Sequence, residues 1–401
     1  MHIVWVLKSY WDTISDRATW VEMSHALEAR GHRVTVITGY RARRDPHGLT
    51  DVIFVPSLKA AYLNQITQAI SAAGALGRLL RRRQPDVVIV DAQAWLSALP
   101  YAALARLSRR RPQFVLDVRT VPVDLRGLKG RVIDAVFWAG LRTANRYYNG
   151  ASAITPYMAQ TLRTRYGITL PLGIWSSAVS LAAFDPAAVA PQKVASLRAQ
   201  FGVADGDMLL LYHGNYGVYR GLANLIQAMV EVRATLPGAV LVLLGSGRIA
   251  DDLQRLIARL GLRGAVVLHP PVPHDQTPAY IAAADLGVLP FPRLRWWRVS
   301  SPLKLMEYMA MGTPVVVTEI EAHRNVLGRS PAAFFAPDGR PSSLAAAIIR
   351  AAGRGADLPQ LGLELRELAA SRYQWRQQAA ALEELLLRIT LAVSWSSALA
   401  D

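Results

Sequence analysis

Lys304 and Glu307 stand three residues apart within Ser300 to Val317, SSPLKLMEYMAMGTPVVV, and their types and spacing suit a ligand that carries both phosphate and hydroxyl groups. Lys304 falls in the first turn of an expected helix, where unbonded backbone N–H groups and the helix dipole already favour an anion. Glu307 follows one turn later on nearly the same face, where a carboxylate can accept from sugar hydroxyls. A solvated amphipathic helix would carry the same pair, so the spacing alone leaves both readings open. The neighbours define the elements that must hold these side chains. Ser300 and Ser301 are cap-forming types, Pro302 is tolerated in a first turn, and Leu303, Met306, Met309 and Ala310 recur at helical spacing. Gly312 should close the helix, and Thr313-Pro314 should turn the chain into Val315 to Val317, an apolar β-branched run suited to a strand buried on both faces.

A second stretch, Leu211 to Met229, places Gly214 and Gly217 after a strand and Arg220-Gly221 at a helix start. Glycines admit a ligand close to the backbone, and a guanidinium at a helix N-terminus matches a diphosphate through paired charge-assisted bonds. Arg220 and Lys304 can then meet on one diphosphate, although a plain strand-to-helix turn is the alternative. Asn215 can donate to the same phosphates or stabilise the turn. Gly245-Ser246-Gly247 also follows a strand, but the third glycine of a dinucleotide fingerprint is missing and no acidic residue stands at the required distance, which disfavours NAD. His274 and Asp275 read as the N-terminal cap of a short helix. Arg293 to Arg298, RLRWWR, interleaves basic and aromatic side chains beside the Lys304 segment, as a sugar or acceptor contact or a surface loop would.

The segment SPLKLMEYMAMGTPVVV resembles the donor site of retaining glycosyltransferases of the GT-B type, family 4 (group 1), and the similarity extends over most of the chain. The resemblance implies that Glu307 holds the ribose of a nucleotide-sugar. Tyr219-Arg220-Gly221 matches the family's Arg or Lys before Gly, which implies that Arg220 and Lys304 bind the diphosphate. It further implies donor contacts from Gly214, Asn215, Gly245, Ser246, Ser300, Ser301 and Leu303, with the backbone around Val272 and Pro273 contacting the base. The usual signature carries a second glutamate eight positions before Glu307, and this chain has Val299 there. In the first half, the loop within VLKSYWDTISDRATW lacks the usual Gly-Gly, and LDVRTVPVD matches a family segment with an Asp-Arg pair at Asp117 and Arg119. Those two residues, with Asp91, sit at expected strand ends; catalysis and a loop-bracing salt bridge are both compatible with them. By resemblance the anomeric configuration is retained, a donor phosphate oxygen helps deprotonate the acceptor, no metal or other cofactor is required, and the acceptor is a glycan or a lipid-linked hydroxyl.

Strands and helices alternate throughout, which predicts an α/β protein with two doubly wound, Rossmann-like sheets, the GT-B architecture. The expected division is 1–175 for an acceptor domain, 176–371 for a donor domain, and 372–401 for a terminal helix that, by resemblance, crosses back to the first domain. Expected strands lie near His2 to Leu7, Arg33 to Thr38, Val52 to Val55, Asp86 to Val90, Phe114 to Val118 and Ala151 to Ile154, then Met208 to Tyr212, Val240 to Leu244, Val266 to Leu268, Leu286 to Pro290 and Pro314 to Thr318. The principal helices are expected over Thr19 to Ala29, Tyr62 to Arg82, Trp95 to Arg109, Leu222 to Thr235, Pro302 to Ala310, Pro341 to Ala352 and Arg372 to Ile389. The stretch around Leu170 to Pro191 reads as a linker, and the two domains should enclose a cleft at the carboxyl ends of their strands.

The composition, 52% hydrophobic and 18% charged over 401 residues, excludes a disordered chain. There is no cysteine, so neither disulfides nor thiolate metal sites exist, and the eight histidines lack metal-ligand spacing. The opening MHIVWVLKSYW reads as a first strand and not as a signal peptide, consistent with a cytoplasmic enzyme. Lys and Arg number 45 against 29 Asp and Glu, a formal +16. Arg81 to Arg83 and Arg109 to Arg111 read as solvated helix ends or as contacts to an anionic membrane surface. Leu125 to Tyr148 combines basic residues with an apolar helical face, either core packing or an interfacial helix admitting a lipid-linked acceptor. Two other classes compete: a nucleotide-sugar epimerase or hydrolase of the same architecture, and a basic nucleic-acid-binding protein. The absence of a recognisable nucleic-acid module disfavours the second, and no nucleic-acid partner is expected.

Overall fold

Two parallel sheets organise the chain in this computed structural model, which describes residues 1–12, 17–40, 44–45, 48–58, 63–107, 112–123 and 127–398. The chain divides into a first unit, Met1–Ser176 with Trp375–Asp401, and a second, Ser177–Gln374. In the first unit the strands are β1 (His2–Tyr10), β2 (Arg33–Gly39), β3 (Val52–Val55), β4 (Val87–Asp91), β5 (Gln113–Val118), β6 (Gly150–Ala153) and β7 (Leu172–Ile174), in the spatial order β3-β2-β1-β4-β5-β6-β7. In the second they are β8 (Leu209–His213), β9 (Val240–Leu244), β10 (Val266–His269), β11 (Leu286–Leu289), β12 (Val315–Thr318) and β13 (Ala333–Ala336), ordered β10-β9-β8-β11-β12-β13. Every pairing is parallel, and helices connect the strands except between β2 and β3, where none is described. Both orders begin 3-2-1-4-5-6 when strands are counted within their own unit, the Rossmann arrangement. The chain reverses direction across each sheet between β1 and β4 and between β8 and β11, so each unit has a crevice at the carboxyl ends of those strands.

The strands bury both faces because their residues are apolar in runs rather than in alternation. β8, β9, β11 and β12 are buried throughout, and each fully buried Leu or Val contributes about 1.5–3 kcal/mol. The helix expected from Pro302 runs Leu303–Ala310 and is buried from Lys304 onward. Gly312, at φ +66°, ends it: its N–H donates to Met309 O at 3.0 Å and Thr313 N–H donates to Tyr308 O at 2.9 Å, a Schellman closure.

Several boundaries differ from expectation. The stretch around Leu170 to Pro191 is not a bare linker: it contains β7, with Trp175 and Phe184 fully buried, and leads directly into a helix, Pro191–Gln200. Helices at Pro156–Thr164, Glu321–Leu327 and Leu358–Arg372, and the edge strand β13, were not anticipated, since they are short or begin on prolines that read as breakers. The terminal helix spans Trp375–Ala398 rather than Arg372 to Ile389 and packs on the first unit, where Glu383 accepts from His32 Nε2 at 2.7 Å and pairs with Arg30. The helix expected over Trp95 to Arg109 is Trp95–Ala105. Tyr62, Arg109, Arg110, Arg111 and the start of the Leu125 segment lie outside the described residues.

Candidate donor-binding site

The carboxyl ends of β8 and β11 gather the side chains that the sequence marks as chemical. Tyr308 sets the height of the Leu303–Ala310 helix over the sheet. Its ring lies where a Cβ on Gly287 of β11 would approach to 2.6 Å, and its hydroxyl donates to Leu211 O of β8 at 2.8 Å. That anchoring puts Lys304 and Glu307, both less than a tenth exposed, at the strand-order reversal.

Lys304 Nζ is buried and has no hydrogen-bond partner. It lies 4.0 Å from the Tyr212 ring centroid and 5.7 Å from that of Phe291. Burial, then the like charge of Arg220, push its pKa far below the usual ammonium value, against the pull of Glu307. Arg220 approaches from the β8 loop, its guanidinium 4.6 Å from the Trp297 ring and 5.5 Å from the Phe291 ring. The two cations therefore converge on one aromatic floor. Burial raises the Tyr212 hydroxyl to about 12, while Arg220 pulls the other way.

Glu307 is held from two sides. His274 Nε2 lies 3.1 Å from Oε1 in a hydrogen bond, and His213 Nε2 comes within 3.3 Å of Oε2 without making one. Burial would push the carboxyl up, but the His274 bond and the neighbouring His213 and Lys304 outweigh it and hold the pKa below the usual value. Burial lowers His213 to about 4, so at neutral pH its close approach to Glu307 is not an ion pair.

Backbone geometry leaves the front of the site open. Gly214 has φ +116°, and a Cβ there would stand 2.8 Å from Lys304 Nζ. Gly221, at φ +76°, starts the Leu222–Thr235 helix so close to β11 that a Cβ would meet Pro290 O at 1.9 Å. Neither this helix nor the one starting at Leu303 has a side-chain cap. Two helix N-termini with uncapped first turns thus stand beside two cations, an arrangement built for several negative charges on one ligand.

The structure corrects two readings of these termini. Ser300 and Ser301 do not cap the Leu303 helix, whose N-cap is Pro302. Ser300 Oγ instead donates to Trp297 O at 2.8 Å, while Ser301 Oγ accepts from Ser177 N–H at 3.2 Å and Ser301 O from Ser177 Oγ at 2.7 Å. Nor do His274 and Asp275 cap a helix: the short 3₁₀ turn His274–Gln276 has Pro273 at its N-cap position, and His274 turns to Glu307.

The remaining expected residues distribute as follows. Asn215 is exposed, its carbonyl accepting from Tyr212 Oη at 2.9 Å. Gly245 is buried against Gly214 O, where a Cβ would come within 2.0 Å, and exposed Ser246 accepts from Tyr216 N–H at 2.7 Å. The glycines of Gly245-Ser246-Gly247 thus let two loops interlock rather than cradle a dinucleotide. Val272 is half-buried against the core, Pro273 is exposed, and Leu303 is half-buried at its helix start. Val299 is buried. Trp297 is stacked on Phe291 at 4.3 Å and donates from Nε1 to Tyr219 O at 2.6 Å, while Arg293 and Arg298 pair with Glu321. The RLRWWR stretch is therefore in large part a brace for the Arg220 loop.

Asp117 and Arg119 belong to the first unit. Asp117 is buried in β5, accepts from Ser152 Oγ at 2.7 Å, and is raised by burial to about 6 against the pull of Arg119. The Arg119 guanidinium stacks on the buried Trp175 ring at 3.6 Å. Among the described residues, no group of three or more His, Cys, Asp or Glu could hold a metal ion, and no helix is long and apolar enough to cross a membrane.

Comparison with known proteins places this geometry. A family model described as "Glycosyltransferase Family 4" matches residues 18–182, and one described as "Glycosyl transferases group 1" matches residues 207–353. The chain is a group 1, family 4-like glycosyltransferase. It is 26% identical over 302 residues to the GDP-mannose-dependent alpha-(1-6)-phosphatidylinositol monomannoside mannosyltransferase of Mycolicibacterium smegmatis, covering 72% of this chain and 74% of that protein. It is 26% identical over 361 residues to the 2-deoxystreptamine glucosyltransferase of Streptomyces kanamyceticus, covering 82% and 87%. Among solved structures, the sucrose-phosphate synthase of Thermosynechococcus elongatus superposes with a TM-score of 0.76 at 18% identity over 98% of this chain and 99% of that one. HepE of Anabaena, solved in complex with UDP, superposes at 0.75 and 16% over 96% and 99%. The fold of this glycosyltransferase is GT-B. His213, His274, Tyr212 and Phe291 were not anticipated as site residues. His213 was accessible in principle as the last residue of β8, directly before Gly214, whereas no spacing signal connects His274 to a glutamate 33 positions away.

Proposed function

We propose that this glycosyltransferase moves a hexose from a nucleoside-diphosphate-sugar to a hydroxyl acceptor with retention at the anomeric carbon. The observation that carries this reading is the buried, unpartnered Lys304 Nζ converging with Arg220 on the aromatic floor between two uncapped helix N-termini. An empty cationic site costs stability unless a polyanion is its normal occupant. In the proposed step the acceptor oxygen bonds to the anomeric carbon as the bond from that carbon to the diphosphate breaks. The electron pair leaves on the diphosphate, and the acceptor proton passes to a phosphate oxygen. Arg220, Lys304 and the two helix starts meet the charge that grows on the leaving group, a stabilisation that usually dominates such barriers. Glu307, held by His274, accepts from the ribose hydroxyls. No cofactor beyond the sugar-nucleotide enters this scheme, and the two cations take the place a metal would have at the diphosphate.

Support for the donor class also comes from the relatives: the mycobacterial protein is named for GDP-mannose, and HepE was solved with UDP and with UDP-glucose. The test is a panel of UDP-, GDP- and ADP-sugars, assayed before and after exhaustive EDTA treatment. Turnover that survives chelation and is lost in Lys304→Met and Glu307→Gln is expected; no nucleotide binding, or full activity in both variants, refutes the assignment. Product analysis separates transfer from hydrolysis or epimerisation. The formal +16 further suggests work at the inner face of an anionic membrane, which is checked by co-sedimentation with phosphatidylglycerol vesicles at low and high salt.

A further inference from the structure

The first unit holds a cavity of about 420 Å³ at the carboxyl ends of β1, β4 and β5, beside its own strand-order reversal. Its walls are apolar, formed largely by Trp95, Val121, Val132, Ile133, Val136 and Phe137, and Lys8, at the end of β1, is the one charged residue lining it among the described residues. The apolar surface does not stop at the mouth. On the helix Gly127–Tyr147, Leu128, Val132 and Val136 follow each other at i, i+4 and i+8 and are 78%, 54% and 47% exposed, with Val123 beside them at 46%. A row of large aliphatic side chains in water, continuous with an apolar cavity, is the mark of a binding surface.

Charge identifies the occupant. The first unit carries 26 Lys and Arg against 14 Asp and Glu, so +12 of the chain's formal +16 sits there, and +4 in the second unit. Within the cavity, Lys8 is partly desolvated and faces the carboxylate of Asp91, whose Oδ1 also accepts from Gln93 N–H at 2.8 Å. Beside Lys8, Gln93 and Thr120 supply the polar lining. Polar groups thus lie at the strand ends and apolar groups run outward from them.

We propose that this cavity binds the acceptor and that the acceptor is an anionic amphiphile, its charged head meeting Lys8 and its apolar tail lying along the Leu128, Val132 and Val136 row. Calling the ligand an acceptor rests on the glycosyl-transfer reading; the cavity and its chemistry do not. A polyamine-bearing acceptor, such as the 2-deoxystreptamine in the name of one relative, would meet Lys8 and the +12 unit with like charge and leave the apolar row uncovered.

The experiment titrates the full chain with n-dodecyl phosphate, n-dodecyl β-maltoside, dodecyltrimethylammonium and inorganic phosphate, each below any critical micelle concentration. Dodecyl phosphate should bind at least tenfold tighter than the cationic amphiphile, and inorganic phosphate should not compete with it. Val132→Asp with Val136→Asp, both at exposed positions that folding tolerates, should weaken dodecyl phosphate at least tenfold. Lys8→Met should abolish the preference for dodecyl phosphate over dodecyl maltoside. Unchanged affinity in the double variant, or equal affinity for the cationic amphiphile, overturns the proposal. Titration of UDP, GDP and ADP on the same preparations separates the two readings. Nucleotide binding without amphiphile binding removes the cavity assignment and leaves glycosyl transfer standing; the reverse removes glycosyl transfer and leaves the cavity.

Discussion

Replacing Lys304 with Met should strengthen the empty protein and cripple its ligand binding at once. A buried donor left without a partner costs about 1–3 kcal/mol, and Lys304 Nζ is such a group. The Tyr212 ring 4.0 Å away offsets part of that cost, since an ammonium over an aromatic face is worth about 0.5–2 kcal/mol. Met keeps the length and apolar stem, so a net gain near ~1 kcal/mol is expected, or about 2–4 °C in Tm for a unit of this size. The pH dependence carries the same sign. The folded-state pKa is depressed below the unfolded 10.5, so between the two the unfolded chain binds the extra proton and stability rises with pH; Lys304→Met should remove that slope. Nucleoside diphosphate affinity should fall by about 2–5 kcal/mol, thirtyfold or more, because a buried charge contact is lost. Calorimetric melting from pH 6 to 10, with and without UDP, GDP and ADP, measures both effects. A variant that melts lower and binds nucleotide as tightly as the parent would show that Lys304 is a packing residue, and the reasoning fails.

Three further outcomes follow from contacts already described. His274→Ala removes the hydrogen bond that positions Glu307, and because His274 is largely exposed the loss should be moderate, about three- to tenfold in donor KM with kcat less affected, read by steady-state kinetics. Gly221→Ala forces a Cβ onto Pro290 O at a left-handed φ, so a loss above about 3 kcal/mol in denaturant unfolding is expected, against about 1–2 kcal/mol for Gly206→Ala, where φ is also positive but nothing lies within 4 Å, so that only the backbone strain is felt. Asp117→Asn should stabilise the protein at pH 7. With the folded pKa at about 6 and the unfolded value at 3.8, the native state holds the extra proton between them, so stability falls as pH rises through that window; removing the charge recovers on the order of 2–3 kcal/mol above it and flattens the profile.

The alternating pattern made the two doubly wound sheets legible, because parallel strands buried on both faces read as uninterrupted runs such as Val315 to Val317. Lys304, Glu307 and Arg220 were legible for a different reason: their positions relative to helix starts are local, and local geometry survives in sequence. The loops that complete the site were not. Ser301 is a cap-forming residue type, yet it bonds to Ser177, 124 positions away, and no local rule weighs that contact against a cap. His274 follows Pro273 and precedes Asp275, a pattern that favours a cap, but β10 carries it to the end of the sheet where Glu307 competes for its ring. The same limit hid β7: Pro171, Gly173 and three serines spell a linker, while Trp175 fills the core between Trp5 and Trp20.

Each Rossmann-like sheet ends its central crevice with one lysine, and the two differ in ways that ionic strength can separate. Lys304 is buried, faces no solvent and stands over aromatic rings, so its hold on a diphosphate is screened little by salt. Lys8 lines a cavity whose mouth opens beside exposed aliphatic residues on a unit of charge +12, so the pull that unit exerts on an anionic amphiphile acts through water, where the Debye length shrinks from about 10 Å at 0.1 M to about 3 Å at 1 M. Raising salt across that range should weaken dodecyl phosphate by more than tenfold while nucleotide affinity changes by less than about threefold. Hydrophobic contact resists salt, so the part of dodecyl phosphate binding that persists should match the affinity of dodecyl maltoside, which has the tail without the charge. Parallel losses for nucleotide and amphiphile would mean that both bind through exposed charge, and the burial of Lys304 would then have no functional consequence.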